Sequence, residues 1–363
     1  MKATRIYELG TAHCRDMTRA EKIIEAIAKY DPNGWFKIQY YESAHDLCTR
    51  DAIFKSGLNQ IDVANKYKLG RRLAESLLLY ARSHGLKAGA TFYTDFKELP
   101  FEVDFIKIAS PDCVDQTLLK SAYTTPEGIP IIISTGGATI NEIQTLAWFV
   151  NLYCLQNDYA SKTKPHPTSL LYCIPQYPQP EHFIGKDYVH ARHLFGTCAE
   201  YRFTPGYSDH SFGSNWHNTV RIMAAMGASV FEKHIQLPNT VHIDSGVCMR
   251  AIKSDIQDFI RITEDPTHTD YTLEDKHACN PDMLYTRKYW VCTKDIPAGV
   301  GNRLTKDNVT LKRCMTEHLA WKHKDSRMSL FDGQSDIMGL IHVTKTPIKK
   351  GELITSTNTE RNK

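Results

Sequence analysis

The sequence predicts a (β/α)8 barrel, the TIM-barrel form of α/β fold, followed by a small β-rich domain, and three observations lead there. Short apolar runs alternate with helical patterns from the N-terminus to about residue 265. Eight such runs in unbroken strand–helix order favour a parallel sheet closed on itself. The signature G-x-G-x-x-G, which an open doubly wound sheet carries after its first strand, is absent. Length agrees, because a barrel takes about 250 residues and the chain has 363.

The candidate strands are, in order, RIYEL (5–9), WFKIQYY (35–41), KAGATFY (87–93), FIKIAS (105–110), IPIIIST (129–135), SLLYCIP (169–175), YRFTPGYS (201–208) and VFEKHI (230–235). Helices between them include TRAEKIIEAIAKY, LGRRLAESLLLYARSHG, INEIQTLAWFVNLY and NTVRIMAAMGA, each with apolar residues at helical spacing. The barrel domain is expected over residues 1–265, and the polar, turn-rich stretch 266–284 reads as a linker. Residues 285–363 hold a weak repeat: Ile296-Pro-Ala-Gly299 leads to Leu304-Thr305-Lys-Asp-Asn308, and Ile348-Lys-Lys-Gly351 leads to Ile354-Thr355-Ser-Thr-Asn358. Two related halves suit a small β-rich module.

Composition excludes several classes. Net charge is +3 with scattered basic residues, which gives no basis for binding nucleic acid or an anionic membrane. Ten cysteines at irregular spacing, with no C-x-x-C pair, read as reduced thiols. No apolar run approaches the roughly 18 residues of a membrane span, and MKATRIYELG lacks a signal-peptide core. A cytoplasmic protein is expected.

Chemistry enters through charged residues on strands. Alternation puts Lys37 and Gln39 on one face, opposite Phe36 and Ile38, and Glu232 and His234 on one face, opposite Phe231 and Ile235. Glu8 and Lys107 likewise interrupt apolar strands. A parallel barrel has no solvated strand face, and an unpaired buried ion costs several kcal/mol. These groups are therefore expected at the open C-terminal mouth, paired with each other, a metal or a charged ligand. Lys233 points the other way and is expected to be structural or solvated.

ISTGGATINEI is a phosphate-binding candidate. A strand runs into Gly136-Gly137, and Thr139 with Glu142 forms a capping box. Backbone N–H groups at a helix start suit a phosphate, with Ser134 and Thr135 adding hydroxyls. His210 and His234 close the neighbouring seventh and eighth strands, where two imidazoles can converge on a divalent ion.

Taken in order, these segments resemble the sialic acid (N-acetylneuraminate) synthase family, including the pseudaminic and legionaminic acid synthases. YELGTAH is similar to A-E-I-G-x-N-H, FKIQYY to V-K-F-Q-T-F, and FIKIASPD to F-K-I-x-S-G-E. PIIISTGGATINEI is similar to P-I-I-L-S-T-G-M-A-T-x-x-E-I, YCIPQYP to C-T-x-x-Y-P, GYSDHSFG to G-Y-S-D-H-T-x-G, and FEKHI to E-K-H-F. DIPAGVGNRLTKDNVTLKR and GELIT resemble the family's antifreeze-like (SAF) domain.

The resemblance implies condensation of phosphoenolpyruvate with an N-acetylated amino-sugar aldehyde, N-acetylmannosamine or a relative, with release of phosphate. It implies a divalent metal, Mn2+ or Mg2+, on His210 and His234. Lys37, Thr91, Lys107, Ser110, Ser134 and Ser208 would hold phosphoenolpyruvate. Gln39, Tyr177, Asp244 and Arg313 would serve the acceptor sugar, with Arg313 supplied by the partner in a domain-swapped homodimer. Glu8 or Asp112 would move protons, beside Lys37 as a catalytic cation. Departures fall mostly on the acceptor side. S-G-E has become Ser110-Pro111-Asp112, Pro175 stands where a polar contact is usual, and Cys314-Met315 replaces the P-G of K-R-P-G.

Two rival readings have their own signatures. Another phosphoenolpyruvate-dependent 3-deoxy-ulosonate (phosphate) synthase needs a second basic site for a phosphorylated sugar. A catalytically weakened sugar-binding homologue binds an amino sugar without releasing phosphate.

Overall fold

Strands that are apolar on both faces, joined by helices with one apolar stripe, bury themselves as an inner sheet wrapped by an outer ring. In the computed structural model, residues 2–265 are described except 49–51, 55–56, 127, 162–165, 180–187 and 213–215. Beyond residue 265, short strands and a few single residues are described.

The strands β1 (Thr4–Glu8), β2 (Trp35–Tyr40), β3 (Lys87–Phe92), β4 (Ile106–Ile108), β5 (Ile131–Ser134), β6 (Thr168–Cys173), β7 (Thr204–Asp209) and β8 (Val230–Gln236) pair in parallel, each with the next. Strand β8 pairs back onto β1, with Thr4 opposite Val230 and Glu8 opposite His234, so the sheet closes. All eight expected strands are present. The seventh starts later than its apolar run, because Tyr201 ends a helix and Arg202 turns the chain at φ 59°.

The outer layer holds α1 (Met17–Tyr30), α2 (Ala44–Leu47), α3 (Gln60–Tyr67), α4 (Arg71–Ser83), α5 (Gln116–Tyr123), α6 (Ile140–Ser161), α7 (Tyr188–Tyr201), α8 (Trp216–Ala225) and α9 (Lys253–Glu264). Helix α1 is capped by the Asp16 carboxylate and buries Ala20, Ile23, Ile24 and Ile27, one stripe at helical spacing. Helix α4 repeats the stripe with Ala74, Leu77, Leu78 and Ala81. The predicted capping box forms: Thr139 N–H donates to Glu142 Oε2 at 2.8 Å, and Glu142 N–H to Thr139 Oγ1 at 3.2 Å.

Inside, Ile6, Phe105, Ile132, Leu171 and Val230 form one apolar cluster, with Trp35 packed on it. That layer plugs the barrel. Two residues further along, on the same faces, stand Glu8, Lys107, Ser134, Cys173, Glu232 and Lys37. The polar layer therefore lies above a dry floor, at the C-terminal mouth.

Beyond residue 265 the described structure is antiparallel. There β10 (Lys288–Cys292) pairs with β12 (Val309–Arg313), whereas β9 (Met249–Arg250), before α9, pairs in parallel with the end of β8. Strands β11 (Gly299–Arg303), β13 (His342–Thr344) and β14 (Thr359–Arg361) form a second sheet. The expected linker 266–284 and the repeat, apart from Gly299, Lys349 and Lys350, lie outside the described residues. No described helix is long and apolar enough to cross a membrane.

Candidate active site

Period-two alternation brings both predicted lysines into the lumen. Lys37 Nζ donates to the Glu8 carboxylate, and to Thr91 Oγ1 at 2.6 Å. Lys107 Nζ donates to Ser134 Oγ at 2.7 Å. Between the lysines lies Glu232, with Oε2 3.5 Å from Lys37 Nζ and 3.9 Å from Lys107 Nζ. Ser208 Oγ donates to Glu232 Oε1 at 2.8 Å. All these side chains are buried.

Charge and burial compete here. Burial drives Lys37 down to about 7, with Glu232 pulling it back up and Lys107 repelling it. Burial alone would raise Glu232, but the Lys107 and Lys37 charges and the Ser208 hydrogen bond hold it at about 2. Lys37 and Lys107 thus flank one firmly ionised carboxylate, with Glu8 as a second carboxylate on Lys37, so an anion entering here would compete with these carboxylates for the two ammonium groups. Glu232 was visible from strand alternation but did not enter the predicted ligand set. Its place between two lysines from other strands appears only on barrel closure.

The glycine turn adds backbone to this cluster. Gly136 N–H donates to Ser110 Oγ at 3.1 Å, and Ser110 Oγ lies 3.3 Å from Cys173 Sγ. A Cβ on Gly136 would come within 2.9 Å of Cys173 O, Pro175 Cδ and Ser110 Oγ, so only glycine allows this approach. Burial pushes the Cys173 thiol up to about 12, which leaves it a packing group. Asp112 is fully buried in the 3-10 turn Ser110–Asp112 that follows β4.

His210 and His234 converge as the alternation requires, with ring centroids 5.6 Å apart. His210 Nδ1 lies 2.9 Å from Ile174 O, which can only accept, so Nδ1 carries the proton and Nε2 the lone pair. Tyr177 O–H donates to that Nε2 at 2.8 Å, with its ring 4.1 Å from the imidazole. His234 Nδ1 is buried and makes no hydrogen bond among the described residues. Burial holds His210 down to about 4 and His234 well below its ordinary value, so both are neutral.

This donor set fits a divalent ion, since metal binding needs neutral imidazoles and a backbone carbonyl often fixes the tautomer. His210 Nε2 and His234 would hold it. Among the described residues no group of three or more His, Cys, Asp or Glu is assembled for a metal. Water and substrate would complete the shell.

Loops at the mouth add a second polar group. Gly10, in the turn after β1, has φ 48°, and a Cβ there would lie 2.8 Å from His234 Nδ1. Its N–H donates to Glu8 Oε1 at 2.6 Å. Thr11 Oγ1 lies 2.7 Å from Asp244 Oδ2 and 2.7 Å from His242 Nδ1. Gln39 is half-buried, one inward position beyond Lys37. Thr11 and His242 carried no sequence signal, since neither lies on a strand. Arg313 ends β12, but its side chain is outside the described residues.

Lys233 points away from the lumen, as expected. It is fully buried there, with Nζ 2.5 Å from Asp209 Oδ2, so it is structural and not solvated.

Comparison with known proteins agrees with this geometry. The spore coat polysaccharide biosynthesis protein E of Chromobacterium violaceum is 20% identical with a TM-score of 0.56, and the match covers 99% of this chain and 100% of that one. An N-acetylneuraminic acid synthetase from Leptospira borgpetersenii, solved with citrate, is 24% identical with a TM-score of 0.57, over 76% and 88% of the two chains. Spore coat polysaccharide biosynthesis protein SpsE from Bacillus subtilis is 16% identical with a TM-score of 0.61, over 86% and 84%. These likenesses show the fold. No curated protein sequence matches the chain. Residues 33–257, more than half of the chain, match the NeuB family. With that match and the barrel, the chain belongs to the NeuB family, whose members are enzymes of the sialic acid synthase type.

Proposed function

We propose that the chain condenses phosphoenolpyruvate with an N-acetylated amino-sugar aldehyde to give a nonulosonic acid and inorganic phosphate. The observation that carries this reading is the buried cation pair, Lys37 and Lys107, set among Thr91, Ser134, Ser208 and Glu232 above an apolar floor. Phosphoenolpyruvate bears a phosphate and a carboxylate, which two buried lysines and a ring of hydroxyls suit.

In the reaction, C3 of phosphoenolpyruvate bonds to the aldehyde carbon, water adds to C2, and the C2–phosphate ester bond breaks. Lys107 and Ser134, with the Gly136 turn, would hold the phosphate. Lys37 and Thr91 would hold the carboxylate end. Donors fixed in a water-poor mouth act more strongly than in bulk water. Glu8, tied to Lys37 and to Gly10 N–H, is placed to hold or move a proton, and Asp112 is the alternative. General acid–base help of this kind is worth about 10²–10⁴ in rate. When bound, a divalent ion supplies Lewis-acid polarisation of the aldehyde oxygen. The C-terminal residues 285–363, read as an antifreeze-like domain, would bring Arg313 to a partner's mouth in a domain-swapped dimer.

Phosphate release from phosphoenolpyruvate, with a panel of N-acetylated hexoses and Mn2+ or Mg2+, tests the proposal. Release dependent on one aldehyde is expected. A folded chain that binds an amino sugar yet releases no phosphate would instead be a binding homologue.

A further inference from the structure

The Gly10–Thr11 turn after β1 bonds to two carboxylates that lie far apart in the sequence. Gly10 N–H donates to Glu8 Oε1 at 2.6 Å, and the Thr11 hydroxyl donates to Asp244 Oδ2 at 2.7 Å. His234 stands between them. It lies opposite Glu8 in register, and a Cβ on Gly10 would meet His234 Nδ1 at 2.8 Å and Asp244 Oδ2 at 3.4 Å. Only a glycine, at φ 48°, lets the turn pass through this gap.

The Asp244 side depends on Thr11. Among the described residues no other group hydrogen-bonds the Asp244 carboxylate, and no lysine or arginine pairs with it. Burial opposes its charge, while the Thr11 hydroxyl and backbone N–H favour it. His242 ties the same hydroxyl to the loop that carries Asp244. Its Nδ1 lies 2.7 Å from Thr11 Oγ1, and its backbone N–H donates to Ser245 Oγ at 2.6 Å. Asp244 is half-buried, and a carboxylate offers about four acceptor sites, so capacity remains for a ligand at the mouth.

We infer that Thr11 is a positioning residue: its hydroxyl clips the loop after β8 to the turn after β1 and holds the Asp244 carboxylate across Gly10 from His234, where it can accept from hydroxyl or amide N–H groups of the acceptor sugar. The inference rests on the proposed function for the acceptor. One dipeptide then sets the spacing of Glu8 and Asp244 on either side of His234. Serine can do the work of Thr11, and valine, similar in shape but without a hydroxyl, cannot.

Hydrogen exchange of the full chain, with no substrate, tests the clip. Thr11→Val should speed exchange over residues 240–248 about tenfold, the scale of one hydrogen bond to a buried charge, with β2 to β5 unchanged and Thr11→Ser close to wild type. Unchanged exchange in that loop, in a folded Thr11→Val chain, overturns the inference whether or not the chain releases phosphate. Turnover tests the role. With the acceptor that supports phosphate release, Thr11→Val should raise the acceptor KM about tenfold and leave the phosphoenolpyruvate KM unchanged, and Thr11→Ser should restore it. In an Asp244→Ala background Thr11→Val should have no further effect, because it acts through that carboxylate. A loss shared by both substrates, or one that adds in full to that of Asp244→Ala, overturns the inference.

Discussion

Lys233→Met would strip the positive charge from a fully buried ion pair and leave most of the aliphatic stem in place. Lys233 Nζ lies 2.5 Å from Asp209 Oδ2 and donates to Ser211 O at 3.1 Å. Asp209 also accepts from Tyr207 at 2.9 Å, Ser211 at 2.6 Å and Thr219 at 3.0 Å. Burial alone would raise the Asp209 carboxyl, yet the Lys233 charge and these hydrogen bonds keep it below its ordinary value. Breaking one side of a buried pair costs about 3–5 kcal/mol. Three hydroxyl donors remain on Asp209, which places the loss near the lower end, at about 3 kcal/mol. Equilibrium urea unfolding, followed by tryptophan fluorescence, measures it. Trp216 is well placed as the probe, since its carbonyl accepts from the Thr219 hydroxyl at 3.1 Å.

A companion variant separates charge from packing. Asp209→Leu combined with Lys233→Met removes both ions and should recover most of the loss, because apolar replacements of a buried pair are often neutral. A single-variant loss below about 1 kcal/mol, the value of an exposed pair, would refute the reasoning. The pair also sits where function concerns it. Asp209 and Lys233 face each other in register, and the next residue in each case is a histidine, His210 just past the end of β7 and His234 within β8. Loosening that clamp should weaken Mn2+ binding more than phosphoenolpyruvate binding.

Other expectations follow from the same geometry. Tyr177→Phe removes the hydroxyl that occupies His210 Nε2. Mn2+ should then bind about fivefold tighter in a paramagnetic-resonance titration, the equivalent of one net hydrogen bond, and weaker binding would contradict the assignment. Lys37 is held down to about 7, so its charge fades as pH rises through neutrality. The phosphoenolpyruvate KM should climb over that range, and a flat profile would speak against Lys37 as an anion ligand. His13 and His242 are both held down to about 4, below the ordinary 6.5. The unfolded chain takes up those protons first, so stability should fall as pH drops from 6.5 towards 4, visible as lower urea midpoints.

The parts of the site that the sequence made legible lie on strands. Lys37, Lys107 and His234 each follow a lumen-facing apolar residue by two or four positions, and barrel closure leaves such residues nowhere to go but the mouth. The capping box at Thr139 and Glu142 was equally readable, because it is local. Glu232 was less so. Its face followed from alternation, but its sharing by Lys37 and Lys107 depends on which strands lie across the lumen. The Tyr177 hydroxyl on His210 could not be read at all, since a loop side chain has no periodicity to follow.

The two halves of the site therefore stand on different physical footings. The lysine half is held by strand residues whose directions the sheet dictates, and a substitution there leaves a buried charge unpaired. The loop half is held by Thr11, Tyr177, His242 and Asp244, where the cost of changing a hydroxyl or imidazole is one hydrogen bond and not a desolvated ion. Such a half can be retuned without disturbing the barrel. Pro175 shows how: where a polar residue is usual, its ring now packs close to Gly136, near enough that a Cβ there would meet it at 2.9 Å. Under the proposed reaction, a polar contact to the acceptor would be lost at Pro175 while the Gly136 turn stays closed, so selection of the acceptor would fall to Thr11, Tyr177, His242 and Asp244.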